Sequence, residues 1–140
     1  MKIQLLNESA RIPVRAYPTD AGADLFSVED AVLQPGERKL IGTGIAVEIP
    51  NGFVGYVCPR SGLAHKYGVS VANAPGVVDA AYRGEVKVNL INLGQDPFVI
   101  EPGMKIAQLV VQEVKLVQFE VVGSLSGTDR GANGHGSTGR

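Results

Sequence analysis

The 140-residue sequence has one cysteine, no tryptophan and few other aromatic residues, four tyrosines and four phenylalanines. A lone cysteine, Cys58, cannot form an internal disulfide bond, and it excludes a zinc cluster built on cysteines. We therefore expect a protein of a reducing compartment, the cytoplasm. Because the neighbouring Val57 and Pro59 suggest no chemistry for a thiol, we interpret Cys58 as a small buried apolar residue.

Strong charge and long apolar runs are also missing. The 13 lysines and arginines against 14 aspartates and glutamates leave a net charge of -1, and no run of like charge occurs. This balance excludes the basic surface of a general nucleic-acid binder. No stretch approaches the ~18 apolar residues of a membrane-spanning helix, and the N-terminal apolar stretch is shorter than the ~7 residues of a signal peptide's apolar core. We expect neither a nucleic acid nor a membrane as a partner.

Glycine and proline, by contrast, are abundant. The 18 glycines and 8 prolines make up nearly a fifth of the chain, against a typical share of about 12%, and their close spacing excludes a helical bundle. A chain of 140 residues is long enough for one domain with a hydrophobic core. Polar and apolar residues alternate over 85–90 and 117–121, which predicts half-buried strands, and the valine-rich segment 104–122 is interpreted as two strands. The sequence therefore predicts an all-β, jelly-roll-like sandwich or barrel.

Turn-forming residues separate the predicted strands. The Asn-Gly pair at 51–52 lies between the β-branched runs 45–49 and 53–57, and such a pair predicts a hairpin because both residues tolerate positive φ. The Pro-Gly pairs at 35–36 and 102–103 predict type II turns, with proline at the second position and glycine at the third.

Two further segments depart from the strand pattern. One helical turn is expected over 61–67, with Ser61 as its N-cap and Gly68 at its end. Residues 123–140 include six glycines, three serines, two threonines and one asparagine, too little apolar surface to offset the entropy of ordering. We therefore predict a β core over 1–122 and a flexible C-terminal lid over 123–140.

Five short segments contain polar residues that packing and turns explain poorly. They are 21–25 (AGADL), 59–64 (PRSGLA), 76–84 (GVVDAAYRG), 103–109 (GMKIAQL) and 130–140 (RGANGHGSTGR).

Two of these segments contain an aspartate. Asp24 lies among small residues, where a turn acid is the simpler interpretation. Asp79 follows Val77 and Val78, and a carboxylate in apolar surroundings is suited to proton transfer. A solvated turn aspartate is the alternative for Asp79.

The other three segments carry groups that bind anions. Arg60 and Ser61 lie at the start of the expected helical turn, where free N–H groups favour negative charge, although a plain helix cap needs the same residues. Gln108 interrupts an apolar strand, either as a ligand-binding or as a surface residue. The glycines, hydroxyls and arginines of 130–140 are the components of a phosphate cradle or of a disordered tail. Taken together, the segments predict a small, highly charged ligand, a polyphosphate.

In order and spacing, these five segments resemble the five motifs of trimeric deoxyuridine triphosphate nucleotidohydrolases (dUTPases). The resemblance spans positions 21 to 139. It implies a jelly-roll homotrimer with shared active sites that splits dUTP into dUMP and pyrophosphate with Mg²⁺. This activity would limit uracil incorporation into DNA and supply dUMP for dTMP synthesis.

The resemblance also implies roles for individual residues. Asp79 would be the general base for the water that attacks the α-phosphate, and Asp24 would touch Mg²⁺ through water while the triphosphate holds the metal. Tyr82 would pack under the deoxyribose and exclude a 2'-hydroxyl. Residues implied to hold the phosphate chain are Arg60, Ser61, Gly62 and Gln108. Further substrate-binding residues, in and near the third motif, are Asn73, Gly76, Val77, Tyr82 and Lys87. Those of the fifth motif, expected to close over the phosphates and the base, are Arg130, His135, Gly136, Ser137 and Thr138, with His135 stacking on uracil.

Two alternatives remain open. dCTP deaminases share this fold and the Arg-Ser segment, but they need a glutamate near the base, whereas this chain has Asp79. A non-catalytic nucleotide-binding module would keep the pocket without turnover, although the presence of Asp24, Arg60 and Gln108 argues against a decayed site.

Overall fold

The computed structural model describes residues 1–134, and it confirms an all-β fold with one short helix. β-Branched residues favour extended backbone, and the frequent glycines and prolines end each strand at a turn. In chain order the elements are β1 (Lys2–Leu5), β2 (Gly22–Phe26), β3 (Ala31–Leu33), β4 (Arg38–Glu48), β5 (Phe53–Cys58), α1 (Ser61–Tyr67), β6 (Val69–Val71), β7 (Gly76–Val78), β8 (Glu85–Asn92), β9 (Phe98–Ile100) and β10 (Lys105–Glu113).

The described strands form three antiparallel sheets. Two sheets have four strands each, in the orders β1-β4-β8-β6 and β2-β10-β5-β7, and the third pairs β3 with β9. Non-consecutive strands are neighbours throughout, as a jelly roll requires. The sheets do not close into a barrel, so the sandwich form of the prediction is the one observed.

All three sheets contribute to one hydrophobic core. The predicted alternation holds in β8, where Val86, Val88 and Leu90 are buried and Lys87 is exposed. These side chains belong to the same buried cluster as Leu109 of β10. Burial of such aliphatic side chains contributes roughly 1.5–3 kcal/mol each, and the core therefore provides a stable base for the polar residues at its edges.

The turn at Asn51-Gly52 forms, but the predicted hairpin is wrong. The Phe53 amide donates to the Pro50 carbonyl at 3.1 Å, and Gly52 has φ 83°. The flanking strands β4 and β5 do not pair, because each belongs to a different four-stranded sheet. The turn therefore leads the chain across the sandwich, a connection that local turn chemistry cannot distinguish from a hairpin.

The predicted strand over 117–121 is also absent from this chain. Residues 114–134 pair with no described strand. Phe119 is 96% exposed and Val121 is 100% exposed. The alternation of polar and apolar residues is real, but within residues 1–134 the segment joins none of the three sheets, because alternation does not specify a partner strand.

The shorter turns and the helix mostly follow the predictions. Gly36 and Gly103 have φ values of 80° and 81°, as type II turns require. Helix α1 spans Ser61–Tyr67 and ends at Gly68, whose φ is 69°. Ser61 is not the N-cap, because the helix already begins there and Arg60 occupies the cap position.

Two other expectations concern burial and membranes. Cys58, the last residue of β5, is a free thiol and is half-buried rather than buried. Across residues 1–134, no helix is long and apolar enough to span a membrane.

Candidate active site

The carboxylate of Asp24 lies between two cations from distant parts of the sequence. Its Oδ1 is 3.0 Å from Nε of Arg60, and its Oδ2 is 2.7 Å from Nζ of Lys105. Nη1 of Arg60 also donates to the carbonyl of Lys105 at 3.3 Å. Two cations and one anion leave this cluster with a net positive charge, which favours a negatively charged ligand.

Strand pairing brings Gln108 into the same cluster. Gln108 of β10 lies directly opposite Asp24 of β2. Its Nε2 donates to the carbonyl of Pro59 at 2.9 Å, the residue that precedes Arg60. The segments around 24, 60 and 108 therefore meet at one place, although 84 residues separate the first from the last.

Ser61 and Gly62 form the exposed start of α1 beside Arg60. A Cβ placed on Gly62 would have no atom within 4 Å. This backbone is thus open to solvent, and a ligand bound to the cluster can approach it closely.

Asp79 lies elsewhere, in the turn that follows β7. The amide of Tyr82 donates to the carbonyl of Asp79 at 3.0 Å, closing the turn. The Asp79 side chain is exposed in the single chain rather than enclosed by apolar groups. It borders an open pocket of about 260 Å³, whose other lining residues include Tyr82, Glu85 and Lys87.

Glu85 ties this pocket to β4, a role that sequence patterns did not indicate. Its Oε1 accepts a hydrogen bond from the Gly44 amide at 2.8 Å, and its Oε2 is 3.4 Å from Nζ of Lys87. Its main-chain carbonyl accepts a hydrogen bond from the Tyr82 hydroxyl at 3.0 Å. Glu85 therefore contacts both Tyr82 and Lys87, whereas in the sequence it is only a polar residue at the start of a strand.

A smaller recess of about 90 Å³ adjoins this pocket and shares Val77 and Lys87 with it. Asn73 and Gly76 also line the recess. A Cβ on Gly76 would lie 3.3 Å from Nδ2 of Asn73, so glycine leaves room for this amide. The structure thus brings together the five residues predicted in and near the third motif.

The two groups of predicted residues are separated within one chain. β5 and β7 are antiparallel, with Gly55 opposite Val78 and Val57 opposite Gly76. Asp79 therefore lies near the start of β5, while Arg60 follows its end. The five residue steps from Gly55 to Arg60 would span up to roughly 16 Å if the chain between them were fully extended. No hydrogen bond or ion pair between described residues joins Asp79 to Arg60.

Only part of the fifth predicted segment is described. Arg130 lies in an exposed turn, where its Nε donates to the carbonyl of Asn133 at 3.0 Å. Among the described residues, no hydrogen bond or ion pair joins it to Arg60 or Asp79. His135, Gly136, Ser137 and Thr138 lie outside the described residues.

The carboxylate of Asp24 suits a Mg²⁺ ion that is held mainly by other ligands. Over residues 1–134, no three histidine, cysteine, aspartate or glutamate side chains converge on one point. Mg²⁺ commonly uses one or two carboxylates and takes its other ligands from waters and phosphates. Asp24 fits that mode as a single carboxylate, because each of its oxygens accepts one partner and retains a further lone pair.

Known proteins match both the sequence and the fold. The dUTPase family model matches residues 8–139. A Corynebacterium diphtheriae relative named deoxyuridine 5'-triphosphate nucleotidohydrolase is 56% identical over 138 residues, covering 98% of this chain and 91% of that protein. The chain belongs to the dUTPase family.

Solved structures of dUTPases have the same fold. The Staphylococcus bacteriophage 80alpha dUTPase with dUPNHPP has a TM-score of 0.94 at 32% identity, covering 99% of this chain and 98% of that one. A mutant dUTPase from phage phi11 of S. aureus has a TM-score of 0.82 at 32% identity, covering 88% of this chain and 96% of that one. The description of that mutant refers to the coordination of a structural Mg(II) ion. Membership of the dUTPase family makes the chain an enzyme, a dUTP diphosphatase.

Proposed function

We propose that the chain hydrolyses dUTP to dUMP and pyrophosphate by attack of a water molecule that Asp79 activates. The observation that carries this proposal is the position of Asp79 on an open pocket beside Tyr82 and Lys87. Asp79 accepts a proton from the water molecule while the water oxygen forms a bond to the α-phosphorus. The bond from the α-phosphorus to the oxygen bridging to the β-phosphate breaks, and pyrophosphate leaves with that oxygen.

The cluster around Asp24 is proposed to hold the phosphate chain. Arg60 supplies guanidinium N–H groups, and Gln108 supplies its side-chain amide. Ser61 and Gly62 offer a hydroxyl and an accessible backbone beside Arg60. Donors held in place by Asp24 and Pro59 need little rearrangement when charge develops on the phosphates.

The pocket at Asp79 and the adjoining recess are proposed to select the nucleoside. Asn73 offers both a donor and an acceptor to the uracil edge. Gly76 and Val77 form the backbone beside it, and Lys87 lies between the recess and the pocket. Tyr82 is fixed by its bond to Glu85, so that its ring excludes a 2'-hydroxyl on the sugar.

Asp24 is proposed to contact Mg²⁺ through water, while the triphosphate provides most of the metal ligands. When bound, the metal would neutralise phosphate charge and polarise the phosphoryl oxygens. Asp24 also keeps Arg60 in position, so this residue serves both the metal and the phosphate-binding cluster.

We infer a homotrimer in which different subunits complete each active site. Asp79 and Arg60 lie at opposite ends of β5 and share no hydrogen bond or ion pair within the described chain, so a second copy supplies the missing group. The exposed apolar segment after Glu113, which includes Val117, Phe119 and Val121, provides a surface for such an assembly.

The C-terminal segment 123–140 is proposed as a lid on a neighbouring site, and 1–122 as the β core. Arg130, Gly136, Ser137 and Thr138 would bind the β- and γ-phosphates, and His135 would stack on uracil. Closure of a segment with many donors and few apolar residues depends on the bound ligand. In a cytoplasmic setting the activity would keep uracil out of DNA and supply dUMP for dTMP synthesis.

An assay of pyrophosphate release from dUTP, dCTP, UTP and dTTP tests the proposed activity. We expect release from dUTP alone. Asp79→Asn should lose turnover by several orders of magnitude and still bind a non-hydrolysable dUTP analogue, because only the proton acceptor is lost. Asp96→Asn, at another exposed aspartate, is the matched control. Near-normal turnover by Asp79→Asn would refute the base assignment.

The same assay separates the alternatives. Ammonia release from dCTP without pyrophosphate from dUTP would indicate a deaminase. Binding of the analogue with no turnover of any nucleotide would indicate a non-catalytic module. Asp79 in place of a glutamate near the base favours the diphosphatase.

A further inference from the structure

We propose that Lys105 is a positioning residue of the phosphate-binding cluster, where it keeps Asp24 from capturing Arg60 in a two-bond pair. The inference deepens the proposed function and rests on it, because it concerns the guanidinium that would bind phosphate.

A β-bulge brings Lys105 to the cluster. In a regular strand, Lys105 and Gln108 would point to opposite faces, because they are three residues apart. The register of β10 on β2 shifts between Lys105 and Ala107, and Ile106 and Ala107 are both buried in succession. Such a bulge turns a side chain to the other face, and bulges are frequent beside active sites. Lys105 consequently lies on the face that carries Asp24.

The two oxygens of Asp24 are divided between the two cations. Oδ2 accepts from Nζ of Lys105 at 2.7 Å, while Oδ1 accepts from Nε of Arg60 at 3.0 Å. Arginine and carboxylate otherwise favour a fork with two parallel hydrogen bonds. Because Lys105 occupies Oδ2, Arg60 makes one bond to the carboxylate through Nε and one to the Lys105 carbonyl through Nη1, and its other N–H groups remain for another anion.

The main chain of Lys105 acts in the same direction. Its carbonyl accepts a hydrogen bond from Nη1 of Arg60 at 3.3 Å. The guanidinium is thus held at Nε by Asp24 and at Nη1 by the Lys105 carbonyl, which fixes its plane. The Lys105 side chain is 41% exposed and the Arg60 side chain 32% exposed. Ion pairs between such exposed groups contribute little to the stability of the fold. Their arrangement therefore points to orientation of the guanidinium rather than to folding.

Lys105→Met tests this role, because it removes the ammonium group and keeps an unbranched side chain. We expect a non-hydrolysable dUTP analogue to bind about tenfold more weakly, as for a lost hydrogen bond to a charged group. Binding of deoxyuridine, which has no phosphate, should not change. Both are measured by calorimetry in EDTA, so the result does not depend on the metal or on turnover. The melting temperature should stay close to that of the wild type.

Two further variants make the test specific. Lys105→Arg keeps a cation opposite Oδ2 and should restore analogue binding to within about threefold of the wild type. Lys2→Met breaks a similar ion pair with Glu48 on β4, remote from the cluster, and should change neither affinity. Unchanged analogue affinity in Lys105→Met, an equal loss in Lys105→Arg, or a parallel loss of deoxyuridine binding would overturn the inference. Failure of the wild type to bind the analogue even with Mg²⁺ present would instead refute the proposed function.

Discussion

Gly22 lies directly beneath the side-chain amide of Gln108. A Cβ at position 22 would collide with Oε1 of Gln108 and lie 2.8 Å from its Cδ, closer than a real side chain could remain. The close approach lets the Gln108 amide lie over β2 and donate to the Pro59 carbonyl. A glycine of the first motif thus determines where a side chain of the fourth motif points.

Gly22→Ala should therefore displace Gln108 from the phosphate-binding cluster. We expect kcat/KM for dUTP to fall roughly tenfold or more, because misplaced donors stabilise developing charge poorly. Steady-state kinetics measures the effect. Val32→Ala, at an exposed position of β3 outside the cluster, is the control and should keep wild-type activity. Normal kinetics in the Gly22→Ala variant would show that turnover of dUTP does not depend on the observed position of the Gln108 side chain.

Tyr82 should determine the discrimination between dUTP and UTP. Tyr82→Ala removes the ring and is expected to raise kcat/KM for UTP relative to that for dUTP by about tenfold or more. Tyr82→Phe keeps the ring and loses only the bond to the Glu85 carbonyl, so its selectivity should change much less. Competition assays with both nucleotides measure the ratio. Equal selectivity in all three proteins would place the sugar recognition elsewhere.

The exposed apolar segment after β10 should hold the assembly together. Phe119→Asp puts a charge where an apolar contact with another subunit is expected, and burial of an unpaired charge is costly. We expect the trimer to dissociate, as measured by size-exclusion chromatography with light scattering. Gln118→Asp adds the same charge at a neighbouring position that is already polar and should leave the trimer intact. Full assembly of Phe119→Asp would remove this segment from the interface.

Removal of 129–140 should abolish catalysis with little effect on stability. The described part of this segment is exposed and buries almost no apolar surface, so the melting temperature should shift by no more than a few degrees. The loss should appear in turnover of dUTP and in affinity for a triphosphate analogue. A large fall in the melting temperature would contradict the proposed lid.

Local patterns predicted local structure well. Helix α1 occupies the predicted residues 61–67, and Gly68 ends it in the left-handed conformation, because capping depends on a few neighbouring residues. The strand predicted over 85–90 lies within β8, where alternation reports which face meets the core. The Pro-Gly turns likewise depend only on the conformations that proline and glycine prefer.

Relationships between distant segments were not predictable in the same way. Asn51-Gly52 marks a turn, but the partner of each flanking strand is chosen by the whole sandwich. The alternation of polar and apolar residues over 117–121 indicates a segment able to form a strand, but it does not specify which strand that segment would pair with. Lys105 reaches Asp24 only because of a bulge, and strict period-two reasoning assigns it to the opposite face. The resemblance assigned candidate roles from motif letters, yet it gave none to Lys105, which lies in the fourth segment, or to Glu85.

The distance between Arg60 and Asp79 along the β5–β7 pair also has a genetic consequence. If each working site takes Asp79 from one chain and Arg60 from another, a mixed trimer of two inactive variants can contain an active site. In a cell that expresses equal amounts of an Asp79 variant and an Arg60 variant, about a quarter of the sites in randomly assembled trimers would contain both intact residues. Two alleles that are each inactive alone would then complement, although neither chain contains a complete working site.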